Sequence, residues 1–310
     1  MIILRNSRLT VHLDETRGAE ITQIAVGPVE LLAYYNWDSP VAMSRSTSYG
    51  KHRHDWLSEY RGGWQFLVPN AGPECEVDGV NLPFHGEWSR TQVDVIAQSD
   101  TMVRVRAGTR LPITVTREIS LRQDPERVEI STEVHNPSTE STSYIWGEHP
   151  AFHARAGDVI DLPPANIADA AGASLGRWPL EGSGRLDVIS DSTPHESVHF
   201  ITDLDHGWVA LRRSEIGIAM AWNVRDFPHV WLWREHGSKG FPFYGRASLV
   251  AIEPASSWPG LGLAEARRRG QAIELAAGAT RSTTMSLIPF QSTADKVAQV
   301  TVDGRITFGR

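Results

Sequence analysis

Two side chains able to trade protons sit where the sequence pattern makes them conspicuous. Glu253, in ASLVAIEP, shares strand parity with Ala247, Leu249 and Ala251, so it closes an apolar row, and Pro254 is expected to end the strand. A carboxylate there is expensive unless it is partnered or opens onto a cleft. An apolar wall would raise its pKa toward the range of a general base, whereas the plain alternative is a strand-end glutamate in water. His149 follows Trp146, Gly147 and Glu148 and precedes Pro150. Imidazole gives or takes a proton near neutral pH, although satisfied structural histidines are common, and the same holds for His85 between Phe84 and Gly86. Arg61 precedes Gly62 and Gly63, where the backbone can pass close to a ligand and a guanidinium can fork onto vicinal hydroxyls. A solvated surface arginine is the equal alternative.

Eleven tryptophans are the strongest compositional oddity, at positions 37, 56, 64, 88, 146, 178, 208, 222, 231, 233 and 258. Trp208 and Trp222 lie on alternating apolar runs and read as core. Trp64, Trp88, Trp146 and Trp233 stand beside Gly, His or Glu. An indole offers a flat apolar face and one N–H donor, which suits the C–H face and hydroxyl edge of a sugar ring.

The elements that must position these groups repeat every second residue. In RVEISTEVH (127–135), Val128, Ile130 and Val134 fall on one side and Glu129 and Glu133 on the other. IGIAMAWNV (216–224), TMVRVRA (101–107), LPITVTREISL (111–121) and TTMSLI (283–288) behave alike. Alternation in short runs bounded by Gly, Pro, Asn and Asp predicts half-buried antiparallel strands, and strands at this density predict two packed sheets. Only LGLAEARRRG (261–270) reads as a helix. Residues 163–187, rich in Ala, Gly and Pro, read as a long loop or insertion within one domain spanning 1–310.

Bulk properties narrow the class. At 310 residues, with 41% hydrophobic and 22% charged residues, the chain can bury a sizeable core. The net charge of −7 offers no basic stripe to nucleic acid. No run of 18 apolar residues suggests a membrane span. Cys75 is the single cysteine, so no intramolecular disulfide can form. The opening MIILRNSRLTVHLDE lacks the apolar core of a secretory signal, and a cytoplasmic location is the expectation.

Three short motifs, LPFHGE, WGEHPAF and VAIEP in that order, resemble the aldose 1-epimerase (galactose mutarotase-like) family. RGAEITQIAVGPVELL (17–32) resembles the family's opening hairpin, and RGGWQFLVPNAG with LPFHGEWSR is similar to its hexose-6-phosphate mutarotase branch. The resemblance spans residues 1–290 and implies an all-β, large antiparallel β-supersandwich with few short helices. It implies anomer interconversion without a cofactor or metal, with Glu253 as base and His149 as acid. Arg61, His85, Trp233 and Asp205, with Asp203 as its rival, would hold a monosaccharide, whether neutral, acidic or phosphorylated. For a phosphate, Arg61 and Arg90 are the candidates.

Two rival readings stand beside this one. HRHDWLSE (52–59) matches a His-x-His-x4-Glu fragment of metal-binding cupins, without the upstream glycine or the second half of that motif. A non-catalytic carbohydrate-binding protein would use the same tryptophans and arginine without a facing acid and base.

Overall fold

The period-two runs form strands in the computed structural model, which describes residues 1–36, 52–180, 185–190, 195–292 and 295–309. Trp37 and residues 181–184 of the 163–187 stretch lie outside the described residues. Strand Glu126–His135 buries Val128, Ile130 and Val134 and leaves Glu133 exposed. Met102–Gly108, Thr114–Gln123, Ile216–Trp222 and Thr280–Gln291 follow from the other alternating runs. With Asp94–Gln98, Trp208–Arg212 and Val159–Asp161 they make an eight-stranded antiparallel sheet.

An eleven-stranded sheet faces it. Its centre runs, in spatial order, Glu20–Val26, Trp64–Leu67, Gly147–His153, Ser248–Ala255, His229–His236 and His195–Thr202. The main apolar core fills the space between the sheets, with Trp88, Trp146, Phe66 and Phe227 among its largest members. Alternation then gives every central strand one side chain toward this core and the next toward the outer face. Glu148 points inward, where Arg117 from the opposite sheet grips it at 2.7 and 3.2 Å and the Trp64 indole N–H donates to it at 2.7 Å. The Arg117 guanidinium also lies 4.2 Å from the Phe66 ring centre, a cation–π contact.

A smaller apolar cluster sits on the outer face of the eleven-stranded sheet. There, helix His52–Glu59 lays Trp56 and Leu57 over Ala151, Ala251 and Trp233. This helix corrects the expectation that only 261–270 is helical; the second helix, Leu263–Arg268, falls within that stretch. Strand Ser248–Ala255 also runs through Pro254 rather than ending before it. Proline lacks only the N–H, and here the neighbouring strand carries Pro150 in the same stretch of the ladder. Residues 163–187 include two short strands, Asn166–Ala168 and Ser174–Arg177, which extend the edge of the larger sheet. Among the described residues, no helix is long and apolar enough to cross a membrane.

Candidate active site

The register of five neighbouring strands sets one row of side chains across the outer face. Gly147 pairs with Ala255 and Ala151 with Ala251, so the frame between them sets His149 opposite Glu253. His149 pairs in turn with Gln65, Glu253 with Trp231, and Trp231 with Phe200. Side chains directly opposite on adjacent antiparallel strands lie about 4.5–5.5 Å apart at Cβ, so two residues remote in sequence meet. His149 Nε2 lies 3.4 Å from Glu253 Oε1, with side chains 3% and 5% exposed. Residue parity explains why Glu148 and His149, neighbours in sequence, serve the core and the outer face respectively.

These two groups form the floor of a cleft of about 370 Å³. Aromatic rings wall it: Trp56, Phe84, Trp231 and Trp233. Trp56 stacks on Tyr60 at 4.6 Å and meets the His149 ring edge-on at 5.4 Å. Arg53 and Glu196 stand at the mouth, with side chains 57% and 44% exposed, their nearest atoms 3.5 Å apart. Cavities of about 430 and 500 Å³ elsewhere on the surface contain neither His149 nor Glu253.

Burial governs the electrostatics of the floor. Desolvation pushes the Glu253 carboxyl well above its ordinary value and pulls the His149 imidazole down to about 4. Both shifts favour uncharged forms. The pair therefore retains one transferable proton over the interval between those two titrations. His85 is held neutral too, chiefly by burial and secondarily by His149. Its Nδ1 accepts from the Gly72 N–H at 3.1 Å, so its proton belongs on Nε2. Its own backbone N–H donates to the Gly72 carbonyl at 2.9 Å, which locks the loop. Gly86 is required next to it, because a Cβ there would stand 2.4 Å from the Val68 carbonyl oxygen.

The residues expected from sequence divide sharply. His149, Glu253, His85 and Trp233 come together in the cleft. Arg61 does not line it: its guanidinium donates to the Ser58 and Tyr60 carbonyls at 3.1 and 3.2 Å, capping the end of helix His52–Glu59. Arg90, the other phosphate candidate, is bonded to Glu59 at 3.1 Å. Asp205 is exposed in a turn, and Asp203 accepts from Asn166 at 2.7 Å; neither lines the cleft. Trp64, Trp88 and Trp146 are core residues, their indole N–H groups spent on Glu148, the Gly18 carbonyl and the Asp226 carbonyl.

Glu196 lines the cleft, where Asp205 does not. It shares strand parity with Val198 and Phe200, all three line the cleft, and it accepts from the Trp233 indole at 3.1 Å. That parity in HESVHFIT was the available signal. Trp56, Trp231 and Arg53 were likewise missed as cleft residues. His52, His54 and Glu59 share one helix, where positions two apart point to opposite sides, so the cupin-like spacing makes no chelate. Among the described residues, no three His, Cys, Asp or Glu side chains form a metal-sized group.

No protein-family model matches the chain, and no curated protein matches it in sequence. Solved structures do. A protein from Synechocystis sp. PCC 6803 superposes with a TM-score of 0.70 at 18% identity, over 92% of this chain and 94% of the other. A galactose mutarotase related enzyme from Lactobacillus acidophilus gives 0.67 at 16% identity, over 94% and 98%. A galactose mutarotase-like protein from Lactobacillus casei gives 0.65 at 17%, over 94% and 100%. At such identities the likeness shows the fold, and the fold of this chain is the large antiparallel β-sandwich of the galactose mutarotase-like proteins.

Proposed function

We propose that the chain is an aldose 1-epimerase, a mutarotase that interconverts the α and β anomers of a monosaccharide. The observation that carries this reading is the His149–Glu253 pair, 3.4 Å apart on the floor of a cleft walled by indoles. The fold shared with galactose mutarotase-like proteins supports it.

Anomerisation needs one base and one acid acting together. The base takes the proton from the C1 hydroxyl, the acid protonates the ring oxygen, and the C1–O5 bond breaks to give the open-chain aldehyde. Rotation about C1–C2 presents the other carbonyl face, and the ring oxygen attacks it as both protons return. No electron or phosphoryl group moves, so the step calls for no cofactor. Glu253 as carboxylate with His149 as imidazolium carries the required single proton, and so does the uncharged pair that burial favours. Proton transfer between the two interconverts these arrangements, and they titrate as a unit. Trp56, Trp231 and Trp233 offer faces to the C–H side of a pyranose, while Glu196 and His85 meet its hydroxyls.

Fresh α-glucose and α-galactose followed by polarimetry, and anomer exchange followed by NMR, test the assignment. The protein should accelerate exchange, and Glu253→Gln and His149→Asn should each reduce the rate by about 10²–10⁴-fold. Shifted sugar resonances with no faster exchange would instead identify a binding protein.

A further inference from the structure

Behind the cleft wall lies a second polar cavity that anomerisation does not use. Strand His229–His236 turns Trp231 and Trp233 toward the cleft, and Arg234 toward the opposite side. Arg234 is 7% exposed, and its Nε and Nη2 are buried without a hydrogen-bond partner. Those two nitrogens share one edge of the guanidinium and present parallel N–H donors, the fork that fits a carboxylate or phosphate. The same edge is filled elsewhere in this chain. Arg212 places Nε and Nη2 on Asp161 at 2.7 and 3.3 Å, and Arg281 places them on Asp226 at 3.2 and 2.7 Å.

At Arg234 no described carboxylate occupies that edge. Asp187, the anion that acts on it electrostatically, is engaged by Arg185 through Nε at 2.9 Å. Glu235, next along the strand, accepts from the Ser238 N–H at 2.7 Å instead. Arg234 borders a cavity of about 270 Å³, together with Arg185, Ser190, His195, Glu235, His236 and Ser248. Drug-sized ligands occupy pockets of about 300–1,000 Å³, so this volume suits a small ion. Burial lowers Arg234 to about 10, which still leaves it charged at neutral pH.

We propose that this cavity binds a small oxyanion, a phosphate or a short carboxylate, seated on the Nε–Nη2 edge of Arg234. The site is separate from the His149–Glu253 pair and does not depend on the anomerase reading.

Calorimetry and thermal denaturation of the wild-type protein, titrated with sodium phosphate or sodium acetate at constant ionic strength, test it. Saturable binding of one or both, with a matching rise in Tm, is the expected result, and the two arms separate phosphate from carboxylate. Arg234→Lys keeps a charge but loses the fork and should weaken binding at least tenfold. Arg234→Met should abolish it, while His149→Asn should bind like the wild type. The wild-type titration does not depend on any variant folding. Absence of saturable binding of either anion would overturn the proposal, as would undiminished binding in folded Arg234→Met.

Discussion

Glu253 works against the stability of the molecule that holds it. Its native pKa lies well above the ordinary carboxylate value because it is buried, so above pH about 4.5 the unfolded chain releases a proton that the native chain retains. Stability contributed by this group is therefore complete at low pH and declines as pH rises toward the native pKa. Glu253→Gln removes that decline. The variant should gain on the parent by about 1.4 kcal/mol for each pH unit across that interval, while losing anomerisation. Urea denaturation of both proteins at pH 5 and pH 7 measures it, and an equal gap at the two values would contradict the burial argument. His149 runs the other way: with its native value near 4, its contribution is whole above pH 6.5 and is lost as pH falls toward 4. The acid limb of the kcat/KM profile should accordingly lie well below the 6.5 of an ordinary histidine. A limb at 6.5 would mean that the imidazole is solvated during turnover.

Strands do most of the positioning, and their alternation ties the core to the site. Glu148 anchors Gly147–His153 to the opposite sheet through Arg117, both side chains at most 5% exposed. Removing one partner strands the other charge in the interior. Arg117→Met should therefore cost about 3–5 kcal/mol, and the double variant Arg117→Met with Glu148→Leu should recover much of it. Urea midpoints of the three proteins decide this. Equal losses in the single and double variants would show that the pair adds nothing beyond packing. The same alternation was legible in sequence, which is why the sheets and the parity of Glu253 followed directly from it. Helix His52–Glu59 was not legible, because its apolar residues Trp56 and Leu57 gather at one end and gain their burial only from the sheet beneath. Arg61, Asp205 and Asp203 lie off the cleft for a related reason. They lie in turns, where no period fixes the direction of a side chain, and local hydrogen bonds claimed Arg61 and Asp203. Glu196 was overlooked although its strand parity pointed to the cleft.

Across the whole molecule, and on the proposed function, charge bears on which sugar would enter. The chain carries −7, and Glu196 stands at the mouth of its cleft. Arg53 is the one described cation lining it, and it already faces Glu196 at 3.5 Å. Arg61 and Arg90, the residues that the sequence offered to a phosphate, are occupied by the helix end and by Glu59. A dianionic sugar therefore meets a net-negative molecule and no uncommitted guanidinium among the described residues that line the cleft. A neutral hexose should show a higher kcat/KM than its 6-phosphate at low ionic strength. Adding salt should narrow the difference, because the screening length contracts from about 30 Å at 0.01 M to about 8 Å at 0.15 M. Glu196→Gln, which removes the carboxylate at the mouth, should narrow it further while raising KM for the neutral sugar. Anomer exchange rates for the two substrates across a salt series supply the measurement. A preference for the phosphate ester that weakens with salt would reverse the reading, because only a cationic subsite produces that dependence.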